Sequence, residues 1–142
     1  MRLVKHLLEA KGNSVYAIDP ENPVLDAIHT MAEKYVGALL VMSGDELLGI
    51  VSERDYARKV ILLGRSSGNT SVREIMSSPV TTVAPGDSVN HCMKMMTDMR
   101  MRHLPVVDNG RVVGILSIGD LVKAVIDDQA EQLEHLQRYI AG

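Results

Sequence analysis

The sequence of 142 residues repeats itself at a constant offset of 65 residues (80 − 15 for Val15 and Val80). The match needs no gap, and self-similarity at a fixed period is typical of folds built from copies of one supersecondary unit. We therefore predict two tandem copies, residues 1–66 and 67–142, joined near Arg65 to Ser78. The matching pairs are Val15/Val80, Pro20/Pro85, Val24/Val89, Met31/Met96, Leu39/Leu104, Val41/Val106, Gly49/Gly114, Ile50/Ile115, Ser52/Ser117, Asp55/Asp120, Val60/Val125 and Ile61/Ile126.

Each copy reads as strand, helix, strand, strand and helix, which predicts an α/β (α+β) fold of two β-α-β-β-α repeats. Short β-branched runs before a proline predict the first strands, and apolar residues at helical spacing predict the helices. Gly44-Asp45 and Asn109-Gly110 are typical of two-residue hairpin turns. The predicted elements are strands 15–18 and 80–83, helices starting near Asn22-Pro23 and Asp87-Ser88, hairpins 38–42/47–51 and 104–107/112–116, closing helices 53–63 and 118 onward, and an opening helix 3–10.

Composition excludes several classes of protein. The net charge is −3 and the only aromatic residues are 4 Tyr, so neither broad phosphate-backbone binding nor an aromatic platform for single-stranded nucleic acid is expected. The one cysteine, Cys92, excludes an internal disulfide and a multi-cysteine zinc site. The longest apolar run, Val36 to Met42, is too short for a membrane span. Without a signal-peptide pattern, a cytoplasmic location is expected.

The last predicted helix extends beyond the repeat. Its apolar residues are interspersed with Asp, Glu and Gln, and one copy alone is too small to bury all of them. A second chain is the simplest partner for this surface, so we expect a homodimer. The apolar positions are Leu121, Val125, Leu133, Leu136 and Ile140.

The matched residues cluster where the last strand of each copy enters a helix. Ser52 and Ser117 are each followed three residues later by an aspartate, Asp55 and Asp120. The pattern indicates helix capping, because the serine accepts a backbone bond and the carboxylate lies favourably beside the helix dipole. It equally suits a nucleotide, since the helix start attracts phosphate and an aspartate can accept both hydroxyls of a ribose. The residues alone leave both interpretations open.

Two copies that end in Gly-apolar-apolar-Ser-x-x-Asp resemble a pair of CBS domains, the Bateman module. Residues 52–59 and 102–107 are similar to segments of small bacterial proteins made of this pair alone, and the resemblance extends from about Leu3 to Ile126. It implies two sheets packed face to face about a pseudo-twofold axis, with two clefts that each draw on both copies. It also implies that pairs of modules associate into disc-like dimers.

The resemblance implies the binding residues and the ligands. Family ligands are mostly adenosine compounds, namely AMP, ADP, ATP, NAD-type dinucleotides or S-adenosylmethionine. One cleft would combine Ser52, Arg54 and Asp55 with Thr81, Thr82, Arg102, His103 and Pro105. The other would combine Ser117, Gly119 and Asp120 with Tyr16, Ala17, Gly37, Ala38 and Leu40.

These features favour a non-enzymatic sensor of adenine nucleotides that acts on a protein partner the sequence does not identify. No nucleophile, metal cluster or carboxylate pair is visible, so no catalytic residue, metal site or catalytic cofactor is expected. His103 is expected to be a polar contact at the cleft edge. A structural dimerisation module without a physiological ligand is the alternative.

The two clefts are expected to differ in charge. Arg54 lies where the other copy has Gly119, and the resemblance assigns Arg102 to the Asp55 side. Arginine forms forked, charge-assisted bonds to phosphate. We therefore expect a cationic cleft at Asp55 and a nearly neutral one at Asp120.

Overall fold

Two β-hairpins organise the fold, one in each sequence repeat. The computed structural model describes residues 2–141, and the chain divides into two compact units, Val15–Thr81 and Met1–Ser14 with Thr82–Gly142. The mixed helix-and-strand class predicted from the sequence is confirmed. The elements are α1 (Val4–Lys11), β1 (Ala17–Ile18), α2 (Val24–Lys34), β2 (Ala38–Ser43), β3 (Glu46–Ser52), α3 (Glu53–Tyr56), a π-helical segment (Ala57–Ile61), α4 (Val72–Ile75), α5 (Val89–Met99), β4 (His103–Asp108), β5 (Arg111–Ser117) and α6 (Ile118–Ala141).

The unit Val15–Thr81 contains a three-stranded sheet. β2 pairs with β3 antiparallel and with β1 parallel. The hairpin turns at Gly44, whose φ of 59° suits a residue without a Cβ. Its core consists of aliphatic and methionine side chains from the sheet and helices: Ile18, Val24, Ala27, Met31, Leu39, Val41, Val51, Val60, Val72 and Ile75.

The other unit contains the second hairpin. β4 pairs with β5 antiparallel, and the turn at Asn109-Gly110 has positive φ at both residues (51° and 78°), as a type I′ turn requires. Burial raises the pKa of the Cys92 thiol to about 11, because Cys92 is a fully buried core residue. The core is Val4, Leu7, Leu8, Val83, Val89, Cys92, Met96, Leu104, Val106, Leu116, Leu121 and Ala124.

α1 and α4 are equivalent elements of the two repeats. The Val4 N–H of α1 donates to the Asp87 carbonyl at 2.8 Å, and the Val72 N–H of α4 donates to the equivalent Asn22 carbonyl at 2.9 Å. α4 was not predicted, because it lies in the Gly- and Ser-rich joint. The opening helix therefore packs in the unit of the second repeat, a grouping that differs from the division into residues 1–66 and 67–142.

Glycine in the middle of β3 and β5 makes this helix packing possible. A Cβ at Gly49 would lie 2.8 Å from the Met76 sulfur, just beyond α4, and 2.8 Å from the Ser77 carbonyl oxygen. A Cβ at Gly114 would lie 2.6 Å from a methyl carbon of Leu8 in α1. Both distances are too short for real atoms, so these two matched glycines leave room for the helices.

Local structure differs from the sequence prediction in the strand 80–83 and in the helix 53–63. Residues 80–83 make a single parallel bridge, at Val83, because the flanking Pro79 and Pro85 lack N–H groups for a ladder. The predicted helix 53–63 changes after Tyr56 to π-helical bonding, with the Leu62 N–H donating to the Ala57 carbonyl at 3.0 Å. Periodicity alone does not reveal such a one-residue expansion.

The helices predicted to start near Asn22-Pro23 and Asp87-Ser88 begin one residue after these pairs. Pro23 and Ser88 stand at the cap positions of α2 and α5. Only Ser88 caps with its side chain, accepting a bond from the His91 N–H at 3.0 Å.

Replacing Gly49 by alanine should destabilise the protein by about 1–3 kcal/mol, the usual cost of overpacking a core. Gly114→Ala should cost less, because the methyl group of Leu8 can move and the Ser77 carbonyl cannot. Urea unfolding measures both, with Gly86→Ala as control, since nothing lies within 4 Å of its added Cβ. Equal stability of the Gly49 and Gly86 variants would contradict this account of the packing.

Candidate functional site

Each closing helix begins with a serine and an aspartate that bond to one another. The Ser52 N–H donates to Asp55 Oδ2 at 3.0 Å, and the Asp55 N–H donates to Ser52 Oγ at 3.2 Å. Ser117 and Asp120 repeat these bonds at 2.8 and 3.2 Å. The predicted capping role is confirmed. The same bonds hold each carboxylate in one orientation beside the unpaired N–H groups of the helix start.

A lysine on the same stretch of helix lies beside the first carboxylate. Lys59 Nζ is 3.2 Å from Asp55 Oδ1 and donates to the Ile75 carbonyl at 2.9 Å. The spacing of four residues between Asp55 and Lys59 is a sequence signal for such a pair. Lys59 therefore neutralises the motif carboxylate, whereas Arg54 and Arg58 are exposed on the same segment.

A lysine from a distant part of the chain lies beside the second carboxylate. Lys11, at the end of α1, donates to Asp120 Oδ2 at 2.6 Å and to the Ile115 carbonyl at 2.7 Å. Burial alone would raise the pKa of Asp120, but the bonds from Lys11 and Ser117 outweigh it and lower this pKa. The sequence analysis does not anticipate this cation, which α1 brings to Asp120; the nearly neutral cleft stays a prediction.

His103 is close to the same group of charges. It begins β4 opposite Ser117 at the end of β5. Burial lowers the pKa of the imidazole, and the charges of Lys11 and Arg102 lower it further, while the Asp120 carboxylate acts in the opposite direction without cancelling them. The ring is therefore neutral at neutral pH, with one nitrogen able to donate and the other to accept.

The unit Val15–Thr81 has the small residues Gly37 and Ala38 where the other unit has Arg102 and His103. Ala38 pairs with Ser52, and the Gly37 carbonyl accepts a bond from the Glu53 N–H at 3.0 Å. The backbone therefore matches that of the second unit, in which the Arg102 carbonyl accepts a bond from the N–H that begins α6. The first unit has neither the imidazole nor the guanidinium at this strand start.

β1, the edge strand beside β2, gives this end of the sheet a mostly apolar edge. Ala17 pairs with Leu40, and the Leu40 N–H donates to the Tyr16 carbonyl at 3.0 Å. Leu40 is buried, whereas the Tyr16 ring is partly exposed and has the Lys34 ammonium 5.6 Å from its centroid. Such an edge can pack against a flat, weakly polar group such as a base.

The predicted binding residues divide between the two units, and their grouping into clefts stays a prediction. Within each unit the structure brings the Ser-x-x-Asp helix start next to the beginning of the hairpin. The unit Val15–Thr81 holds Tyr16, Ala17, Gly37, Ala38, Leu40, Ser52, Arg54, Asp55 and Thr81. The other unit holds Thr82, Arg102, His103, Pro105, Ser117, Gly119 and Asp120.

The described residues form neither a cluster of metal ligands nor a membrane-spanning helix. Among these residues, no three His, Cys, Asp or Glu side chains lie together as metal ligands would. No helix within residues 2–141 combines the length and the apolar character that crossing a bilayer requires.

Comparison with protein families gives one consistent result. The family model of the CBS domain matches this chain twice, over residues 12–61 and 72–127. The mitochondrial CBS domain-containing protein CBSX3 of Arabidopsis thaliana is 39% identical, over 98% of this chain and 72% of that protein.

Solved structures share the fold. A protein with CBS domains from Burkholderia ambifaria superposes with a TM-score of 0.87 at 53% identity, over 90% of this chain and 96% of that one. The CBS domain pair of protein MJ0100, in complex with 5′-methylthioadenosine and S-adenosyl-L-methionine, superposes with a TM-score of 0.80 at 23% identity, over 90% of this chain and 98% of that one. At that identity the second likeness concerns the fold alone.

The lowered pKa of His103 predicts a dependence of stability on pH. Around its ordinary pKa of 6.5 the unfolded chain binds more protons at this ring than the folded chain does. The free energy of unfolding should therefore fall as the pH drops from about 7.5 to about 5.5. His103→Gln should reduce this fall, and His135→Gln, an exposed control on α6, should not. A variant of His103 that keeps the whole pH dependence would assign it to other groups.

Proposed function

Because the chain belongs to the CBS-domain family, we propose that it is a regulatory module that binds an adenine nucleotide at the start of each closing helix. One observation carries the proposal. The same arrangement occurs twice, with a strand that ends in serine and an aspartate fixed by reciprocal bonds. The ligand regulates by binding one arrangement of the module more tightly than another, and no catalytic step is proposed.

The chemistry of each helix start suits the ribose and phosphate of a nucleotide. Asp120 Oδ2 already accepts bonds from the Ser117 N–H and from Lys11, which leaves Oδ1 to accept a ribose hydroxyl. Carboxylates bind ribose in this way in other nucleotide folds. The N–H groups of the first helical turn and the nearby lysine favour a phosphate on the same ligand.

The proposed ligand class is AMP, ADP, ATP or an NAD-type dinucleotide. The two adenosine compounds bound by the domain pair of MJ0100 support the adenosine part. The cations beside the two carboxylates, Lys59 and Lys11, support the phosphate part. Exposed Arg54 adds a second cation at the Asp55 site, where the other repeat has Gly119.

Replacing either motif aspartate should weaken one site. Asp55→Ala and Asp120→Ala should each cost roughly 1.5–3 kcal/mol of AMP binding, the range for hydrogen bonds to a charged group. Titration calorimetry measures the loss, with Asp26→Ala at the start of α2 as control. Melting the unaltered protein with AMP, ATP, NADH and S-adenosylmethionine identifies the ligand to titrate. If both variants bind as the control does, capping alone accounts for the two aspartates.

A structural dimerisation module is the second candidate function, and α6 favours it. From residue 126 onward this helix leaves Ile126, Leu133, Leu136 and Ile140 more than half exposed. Their spacing of seven, three and four residues is the a and d pattern of a coiled-coil seam. We propose that this stripe pairs with its copy in a second chain, so that the protein is a homodimer with or without a ligand.

Charges placed in the stripe should separate the dimer. The double variant Leu133→Glu, Leu136→Glu should scatter light as one chain of 15.6 kDa, because like charges would face each other across an apolar seam. The unaltered protein and the control His135→Glu, which lies off the stripe, should have about twice that mass. An unaltered protein that is monomeric at micromolar concentration would refute the dimer. A dimer whose melting temperature no adenosine compound changes would favour the structural module.

A further inference from the structure

Lys11 lies in the proposed nucleotide site, although it belongs to no motif. Its ammonium donates to Asp120 Oδ2 at 2.6 Å and to the Ile115 carbonyl at 2.7 Å. An ammonium has three N–H groups, so one remains for another acceptor. The Lys11 side chain is 34% exposed, so a ligand can reach it.

The position of this ammonium is set by the packing of α1. Val4, Leu7 and Leu8 of this helix are buried in the core. At its start, Arg2 reaches α6 and bonds Asp128 at 2.6 Å. Lys11 is therefore presented by an anchored helix rather than by a free chain end.

A cavity of about 230 Å³ opens beside Lys11 and Asp120, between α1 and α6. Lys123 also lines it and makes no ion pair with the described residues. Arg2, by contrast, is already engaged by acidic side chains of α6. The cations with capacity for a new anion are therefore Lys11 and Lys123, on the two sides of the cavity.

The two repeats reach the same placement of charge by different routes. Lys59 comes from the helix that carries Asp55, and Lys11 comes from the opening helix. Each bonds a motif carboxylate and a main-chain carbonyl. Neither lysine has a lysine at the matching position of the other repeat, so the shared feature is the charge itself rather than a repeated side chain.

We infer that Lys11 contacts the ligand at the Asp120 site and selects phosphorylated over unphosphorylated adenosine compounds there. The inference rests on the proposed function. Asp120 Oδ1 accepts the ribose hydroxyl, while the remaining N–H of Lys11 donates to a phosphate oxygen at the mouth of the cavity. Lys11 is thus a specificity-determining residue of this site.

The test compares AMP with adenosine at this one site. Calorimetry is done in the Asp55→Ala background, so that binding reports the Asp120 site. Lys11→Met keeps the length and apolar stem of the side chain and removes the charge. Lys5→Met is the matched control, because Lys5 is exposed on the same helix and does not line the cavity.

Lys11→Met should lower the affinity for AMP about tenfold, as loss of a charged hydrogen bond predicts, and change that for adenosine less than about twofold. Lys5→Met should change neither. Lys11→Gln, which keeps a donor for the Ile115 carbonyl, gives the same readout if Lys11→Met does not fold.

Two results would overturn the inference. Equal losses for AMP and adenosine, or no loss for either, would make Lys11 a purely structural link between α1 and Asp120, with the proposed nucleotide binding intact. If neither the Asp55→Ala parent nor the unaltered protein binds AMP or adenosine, the proposed function is overturned together with the inference.

Discussion

The absence of a side chain at Gly49 and Gly114 is the constraint on which both units depend. Each glycine lets a helix approach the hairpin more closely than any Cβ would allow. The position of α1 then determines where Lys11 reaches, and the position of α4 determines where the Ile75 carbonyl receives Lys59. The charge at each candidate site therefore depends on packing against the glycine that begins each Gly-apolar-apolar-Ser-x-x-Asp motif.

Helix capping and ligand recognition are compatible at these sites. An ionised carboxylate has about four lone-pair positions, and the cap at Asp120 uses only one oxygen, Oδ2. The capping bonds supply what binding requires, since they fix the carboxylate before a ligand arrives and reduce the ordering cost of association. The two interpretations that the sequence leaves open thus describe one arrangement, in which the structural role prepares the functional one.

The sequence predicted the features that depend on local chemistry. Asn109-Gly110 predicts its turn because both residues must adopt positive φ, and Ser-x-x-Asp predicts the start of a helix. The start of α4 also has a sequence signal, because Ser71 and Glu74 form a capping box in which the Ser71 N–H donates to Glu74 Oε2 at 2.7 Å. The Gly and Ser residues before it favour a loop, and the helix was therefore not predicted.

The contact of Lys11 with Asp120 was not predictable from the sequence. It depends on which hairpin the opening helix packs against, and the first repeat is the nearer one along the chain. Bonds between residues 109 positions apart carry no local signal. The part of the site that comes from the motif could be predicted, and the part that comes from packing could not.

A gapless repeat does not produce two equal sites. The positions that match are those that packing and backbone geometry require, such as the strand glycines and the capping pair, because a change there affects the fold. Positions around them differ between the repeats, with exposed Arg54 equivalent to Gly119 and buried Ala38 equivalent to the partly buried His103. Under the proposed function, both sites share a ribose acceptor but present different cations to phosphate. Because charge-assisted bonds to phosphate add to the shared ribose contacts, the two sites should fill at different nucleotide concentrations, which lets one module respond over a wider range than two identical sites could.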